Sequence, residues 1–266
     1  MLNITILTLF PDFFTSFLNN SIIARAIAKG AVSFKIVNIR DYTADFKHHR
    51  VDDRPAGGGA GLIMRMQPLC DCLKANRTAE SHVVLLSPLG KTYNQEKAKE
   101  LSLKEDLILI CGHYEGIDSR FNSRVDEMIS IGDYITTGGE IGAMAISDSV
   151  VRLLKGAIAD ESTQEESFND GTLEYPQYTL PYSYEGEKIP DILFSGNHEA
   201  IEIFHRREAL KLTKEYRPDL YQKLKLSKKD LKRIHELETG EISKTEKLAL
   251  EKGERFIQAE IKKEEN

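Results

Sequence analysis

The stretch Leu107-Ile108-Leu109-Ile110-Cys111-Gly112-His113-Tyr114-Glu115-Gly116-Ile117-Asp118 decides the fold. Its first five residues are apolar without alternation, which a strand tolerates when both of its faces are covered. Gly112 then ends the run abruptly. A doubly covered strand implies a mostly parallel sheet with helices on either side. The surrounding sequence agrees. Apolar, β-branched runs recur at 3–8, 33–38, 82–86 and 125–131, and segments of helical period separate them at 12–29, 66–76, 94–102 and 139–154. Gly30, after Ile27-Ala28-Lys29, is placed to end a helix in the left-handed conformation.

Beyond about residue 158 the alternation fails. Between positions 160 and 174 there are six acids and no base, and too little apolar surface to hold the segment in order by itself. It reads as a linker. Pro176, Pro181 and Pro190 punctuate 175–197, and helical patterns follow. They cover 198–215, a short segment opened by Pro218, and two more opened by Ser227-Lys228-Lys229-Asp230 and Ser243-Lys244-Thr245-Glu246. The last two carry capping-box signatures. The Lys/Glu-rich end after 250 is expected to fray. The organisation is therefore an α/β domain over 1–158, a flexible linker over 159–174 and a mainly helical domain over 175–266.

Composition excludes several classes. The chain has 266 residues, 41% hydrophobic and 29% charged, enough for one large domain and a smaller one. No apolar run approaches the ~18–20 residues of a membrane span, so no membrane partner is expected. The start, Met1-Leu2-Asn3-Ile4, lacks a basic leader and reads as a first strand, which suggests a cytoplasmic protein. Cys70, Cys72 and Cys111 make neither a disulfide framework nor a zinc site, and no metal ligands are assigned. The net charge of −6 argues against a sequence-blind nucleic-acid coat. It hides a local reversal, however. From His205 to Glu236 eleven Lys/Arg face five acids, so a polyanion would meet the C-terminal third first.

Ligands of parallel sheets sit beyond the carboxyl ends of the strands. Three glycine-bearing loops fall there: 85–90, with Leu85-Leu86-Ser87-Pro88; 112–118; and 132–142, with Gly132-Asp133-Tyr134-Ile135-Thr136-Thr137-Gly138-Gly139-Glu140. Glycine allows close backbone approach and positive φ, so free amides and carbonyls can read a flat heterocycle. A fourth, Asp53-Arg54-Pro55-Ala56-Gly57-Gly58-Gly59-Ala60-Gly61, lacks the Gly-Lys-Ser/Thr ending of a P-loop.

These motifs together, with Asp52-Asp53-Arg54-Pro55 and Ser195-Gly196-Asn197-His198, closely resemble the bacterial tRNA (guanine-N1)-methyltransferase family, TrmD. The resemblance runs from the first strand to about residue 225. It implies a deep trefoil knot in the α/β domain, an exception to the rule against threaded chains. It also implies S-adenosylmethionine as cofactor, tRNA guanine 37 as target, and a homodimer whose active site is shared between subunits. Magnesium is suggested as an assisting ion without a protein-built site. The cofactor pocket carried over by motif is Leu85, Leu86, Ser87 and Pro88; Gly112, Tyr114, Glu115 and Gly116; then Ile131, Gly132, Asp133, Tyr134, Ile135 and Thr136, with Gly138 and Gly139. His113 is taken as a bystander. Substrate contacts fall to Asp52, Arg54, Gly57, Gly58 and Gly59, and to Ser195, Asn197, His198, Arg206 and Arg207.

The reaction dictates what else is needed. Guanine N1 carries a proton at neutral pH, so methylation requires a base near N1 and a cation near O6. The positions that match the family's are Arg152, near the end of the helix after Gly139, and Glu166, where the family often carries Asp. Asp170 is the alternative base. The linker is expected to fold over the target base and deliver Glu166. Two other readings stand beside this one: a knotted-fold enzyme methylating another base or a ribose hydroxyl, and a non-catalytic RNA-binding module.

Overall fold

The structure, a computed structural model, describes residues 1–158 and 167–264; Glu166 lies outside them. The chain forms two compact units that divide within 159–166. In chain order the first carries β1 (Leu2–Thr8), α1 (Thr15–Asn19), α2 (Ser21–Ala28), β2 (Val32–Asn38) and the short β3 (Asp52–Asp53) and β4 (Ile63–Met64). It continues with α3 (Met66–Asn76), β5 (Ser81–Thr92), α4 (Gln95–Ser102), β6 (Asp106–Cys111), β7 (Glu127–Ser130) and α5 (Glu140–Val151).

Five strands form one parallel sheet in the order β2-β1-β6-β5-β7. Thus β6, the run that set the fold class, is enclosed by β1 and β5. Its residues alternate between two cores. Leu107, Leu109 and Cys111 pack with Ile4, Ile6 and Val84 against Phe14, Ala26, Ala143, Ile146 and Val150. Ile108 and Ile110 pack with Leu7, Val83 and Leu85 against Leu69, Cys72 and Phe121. Period-2 alternation with both faces buried is why the sequence reads as a continuous apolar run.

Two elements differ from their sequence patterns. The expected helix over 12–29 is broken into a 3-10 turn at Pro11–Phe14, then α1 and α2. Asn19 and Asn20 donate side-chain hydrogen bonds back to the carbonyls of Thr15 and Ser16 (2.8 Å each), and Asn20 is extended at φ −124°. Such local bonds compete with the helix ladder. Nor does β5 end at 86. It bulges between Leu86 and Lys91 and then pairs again, Lys91 with Ile129 and Thr92 with Ser130. Pro88 has no N–H for a ladder, and Gly90 lets the backbone return against Met128 and Ile129. Gly30 is left-handed after α2, at φ +71°.

The second unit contains β8 (Ser183–Tyr184), β9 (Glu187–Lys188), α6 (His198–Tyr216), α7 (Pro218–Tyr221), α8 (Lys228–Thr239) and α9 (Lys244–Glu264). Ser227 and Asp230 make a reciprocal capping box at α8. At α9, Ser243 and Glu246 bond in the same way. Residues 167–174, read from sequence as flexible linker, are instead a turn held to α6. Leu173 N donates to Thr213 Oγ1 (2.8 Å), and Phe168 N to the Thr172 carbonyl (2.7 Å).

The end after 250 remains helical through Glu264 rather than fraying. Ala249 and Leu250 join the core of Ile192, Ala200 and Phe204, which supplies the tertiary packing that helix propensity alone lacks. Contact with the 3-10 turn Asp191–Phe194 is close at Gly253, where a β-carbon would overlap the Asp191 carbonyl, only 2.7 Å from its carbon. Gly253→Ala should therefore destabilise the second unit by about 1–3 kcal/mol, measured by urea unfolding with far-UV circular dichroism, although alanine is the better helix former.

Candidate functional site

The carboxyl ends of β5, β6 and β7 meet at one place in the first unit. Gly139 N donates to the Gly112 carbonyl (2.8 Å), and His113 pairs with Gly138 in an isolated antiparallel bridge. The loops after β6 and β7 are thereby sewn together by backbone. At Gly139 a β-carbon would stand 2.8 Å from Cys111 Cα and 3.2 Å from Leu86 Cβ. Only glycine lets the start of α5 approach so closely. Gly142, one turn on, would meet Leu86 Cδ1 at 3.0 Å and Ile131 Cγ2 at 3.4 Å. Sequence-assigned Leu86, Gly112, Ile131, Gly138 and Gly139 thus belong to one constellation.

The loop after β6 turns through two positive φ angles, +60° at Tyr114 and +130° at Gly116. It is fastened on its other side to β4: Glu115 N donates to the Leu62 carbonyl (3.0 Å) and Met64 N to that of Gly116 (2.9 Å). The Glu115 side chain lies against Gly61. The structure therefore brings the glycine loop 57–61 beside the pocket loops, a link that sequence spacing did not show. Asp52 starts the hairpin under that loop, paired with Met64, and Arg54 is exposed at its edge.

In the loop after β7, Thr136 Oγ1 donates to the Gly138 carbonyl (2.7 Å) and Tyr134 Oη to that of Ile131 (3.3 Å). Gly132 sits at φ +147°, with the Tyr134 ring where its β-carbon would be. Asp133, Tyr134 and Ile135 are exposed. Leu85 is buried in the sheet, whereas Ser87 and Pro88 lie in the bulge. A β-carbon at Gly112 would meet Ile117 at an ordinary contact distance of 3.5 Å, whereas one at Gly116 would have nothing within 4 Å. A rim of backbone groups beside open space and exposed tyrosines fits a flat, hydrogen-bonding ligand.

Sequence reasoning missed Glu140. Its carboxylate is 4% exposed, and Oε1 accepts from Thr8 Oγ1 (2.8 Å), which itself accepts from Phe10 N (2.9 Å). Burial raises the Cys111 thiol well above its ordinary value, and the nearby Glu140 carboxylate adds to this. Burial also pushes Cys72 up to about 12. Neither is a nucleophile near neutral pH.

Arg152 caps the end of α5, its amide donating to the Asp148 carbonyl (3.1 Å).

In the second unit, several residues assigned to substrate make contacts within the fold. Ser195 is buried and its Oγ accepts from Asn197 N (3.1 Å), while the Asn197 side chain caps α6 at Ala200 N (3.3 Å). His198 is exposed at the first turn of that helix. Arg207 pairs with Glu246, a buried carboxylate in the first turn of α9 (2.5 Å). Arg206 bridges Asp170 and Asp230. Exposed charge lies elsewhere: Lys223, Lys225, Lys228 and Lys229 are exposed and make no ion pair among the described residues.

Asp170 accepts from Thr172 N (3.0 Å) and Oγ1 (2.6 Å) as well as from Arg206. Burial works to raise its carboxyl, but the Thr172 bonds and Arg206 outweigh it and hold it below the ordinary range. At Asp230 the same competition, with Arg206 and Ser227 opposing burial, ends at about 2. A carboxylate depressed in this way contributes stability above its usual 3.8 and loses it as pH falls through about 2. Arg206→Gln should thus cost the second unit about 1–2 kcal/mol at pH 7, trimmed because Arg206 keeps a third of its side chain in water. In urea unfolding, the difference from the parent should shrink steadily from pH 4 towards pH 2.

Residues 2–223 match the family described as tRNA (Guanine-1)-methyltransferase TrmD. A protein of Clostridium perfringens (strain SM101 / Type A) named tRNA (guanine-N(1)-)-methyltransferase is 52% identical over 233 residues, which is 87% of this chain and 98% of its own. A protein of the same name from Dictyoglomus turgidum is 51% identical over 238 residues, 89% and 97% of the two chains. Helices α8 and α9 lie beyond the family match.

Proposed function

Because the chain belongs to the tRNA (guanine-1)-methyltransferase family, we propose that it methylates N1 of guanine 37 in tRNA with S-adenosylmethionine as donor. The enzyme is a tRNA (guanine-N1)-methyltransferase; the position, the donor and the residue roles are our reading. The observation that carries this reading is the sewing of the loops after β6 and β7, Gly139 N to Gly112 O, at the carboxyl end of a parallel sheet.

S-adenosylmethionine supplies an electrophilic methyl group on a sulfonium. The loops 85–88, 112–116 and 131–139 hold its adenosyl part through backbone groups, which explains why glycine rather than specific side chains dominates them. Glu166 takes the N1 proton of guanine, worth ~10²–10⁴ in rate, and Arg152 stabilises the charge that develops on O6. Asp170 is the weaker candidate for the base: its carboxylate already accepts from Arg206 and Thr172 and is held low.

The family's knot is our reading of the return path, in which the chain leaves the edge strand β7, ties to Gly112 and packs α5 on β6 and β1. Exposed Leu89, Tyr134 and Ile135 on the pocket loops support a homodimer that completes the site. Lysines 223, 225, 228 and 229, exposed and without an ion pair among the described residues, take over the phosphate contacts. Magnesium, where it assists, would rest on RNA and substrate oxygens. A tRNA substrate puts the enzyme in the cytoplasm.

With labelled S-adenosylmethionine, tRNA transcripts bearing guanine 37 should be methylated and those with adenine 37 should not. Label on both would favour a different base or ribose hydroxyl, and label on neither would favour a binding module. In single turnover, Glu166→Gln should slow transfer by about 10² or more with cofactor binding kept, and Asp170→Asn should transfer at near the parent rate. The reverse pattern would reassign the base.

A further inference from the structure

The second unit has a concave aromatic surface for which the methyl transfer itself has no use. A cavity of about 210 Å³ is formed there by the segment before the 3-10 turn Asp191–Phe194, by that turn and by α6. Ile189, Leu193 and Phe194 are its buried and half-buried lining. Tyr178, Leu180 and His205 complete it, the first two 43% and 64% exposed. Sites for whole cofactors run to ~300–1,000 Å³, so this one has room for a single ring system. Its rings are held in place. Tyr175 lies parallel on His205, with centroids 3.6 Å apart at 6°. Phe194 is met edge-on by Tyr182 at 4.9 Å and in parallel by Phe256 of α9 at 6.3 Å. A cation stands beside them. Lys252 is four residues before Phe256 and so shares its side of α9. Its Nζ is 3.7 Å from the point where a β-carbon on Gly196, two residues after Phe194, would be. Lys252 is exposed and makes no ion pair among the described residues.

We propose that this pocket receives a second unpaired base of the tRNA loop that carries the target guanine, with Lys252 on a phosphate beside it. Aromatic faces next to a cation are what single-stranded nucleic acid requires: the faces stack bases and the charge takes phosphate. A guanine drawn out of its stack leaves its neighbours short of a stacking face, and unstacked bases find one on protein aromatics. The pocket belongs to the second unit, whereas the loops after β5, β6 and β7 belong to the first. It is therefore a separate site from the one that holds the methyl donor. Lys252 and Phe256 lie beyond the family match, so part of the pocket's support comes from outside the shared sequence. The proposal rests on tRNA being the substrate, not on which atom is methylated.

The test places 2-aminopurine, whose fluorescence falls on stacking, in turn at each anticodon-loop position of tRNA other than 37. With parent enzyme, one of these positions should be quenched on binding. Tyr178→Ala should abolish that quenching and raise the dissociation constant for tRNA about ten-fold, within the range for losing one base–aromatic stack. Tyr178→Phe keeps the ring and should stay within about two-fold of the parent. Lys252→Ala should lower the salt slope of tRNA binding by about 0.7, the value for one single-stranded phosphate. Lys247→Ala, exposed on another side of α9, should leave that slope unchanged. Quenching that persists in Tyr178→Ala, or a Tyr178→Phe as weak as Tyr178→Ala, would overturn the proposal. Should Tyr178→Ala fail to fold by circular dichroism, parent enzyme photo-cross-linked to tRNA with 4-thiouridine in the loop decides. Adducts at 176–194 or His205 support the pocket, and adducts confined elsewhere overturn it. A parent that methylates tRNA but quenches no loop position would sink the pocket alone, and one that neither binds nor methylates tRNA would sink both readings.

Discussion

The single hydrogen bond from Gly139 N to the Gly112 carbonyl constrains most of the first unit. It requires the start of α5 to arrive against the end of β6, and the sheet order places β5 and then β7 beyond that strand. The chain must therefore come back from the sheet edge across its own strands. A β-carbon at Gly139 would press on Cys111 Cα and at Gly142 on Leu86, so small residues are needed where the return path touches the sheet. The loops after β6 and β7 are thereby brought together at the candidate site. The fold and the site thus follow from the same close approach.

In the second unit charge plays a different part. The acids and bases there are largely spent on one another: Arg206 on Asp170 and Asp230, Arg207 on Glu246, Arg233 on Glu236. Buried pairs of this kind fix geometry more than they add stability. Glu246 belongs to α9, beyond the reach of the family match. The helix that follows the shared sequence has therefore drawn in an arginine of α6, and the exposed lysines lie between α7 and the start of α8.

What could be read from the sequence follows the length scale of each interaction. The strands at 3–8 and 106–111, the helices at 66–76 and 198–215 and both capping boxes were legible because periodicity and capping act within a few residues. The glycine loops were legible as a site because glycine marks close approach. By contrast, Glu140 on Thr8, Glu115 against Gly61 and Arg207 on Glu246 join residues far apart in the chain, and no local pattern announces such pairs. The helix after 250 was misjudged for the same reason, since its partner at 191–194 is some sixty residues upstream. Asn19 and Asn20 breaking the first helix is the exception, a local signal that hydrophobic periodicity outweighed.

The same distinction bears on the choice of base. A general base must be free to take a proton, and a carboxylate that already accepts three hydrogen bonds is not. Asp170 is bound by its own turn through Thr172 and by α6 through Arg206, so its charge is stabilised and its proton affinity lowered. Using it would require breaking the contacts that hold 167–174 in place. Glu166 is one residue before that turn in sequence. Anchor and base are separate requirements, and the bonds at Asp170 meet the first of them.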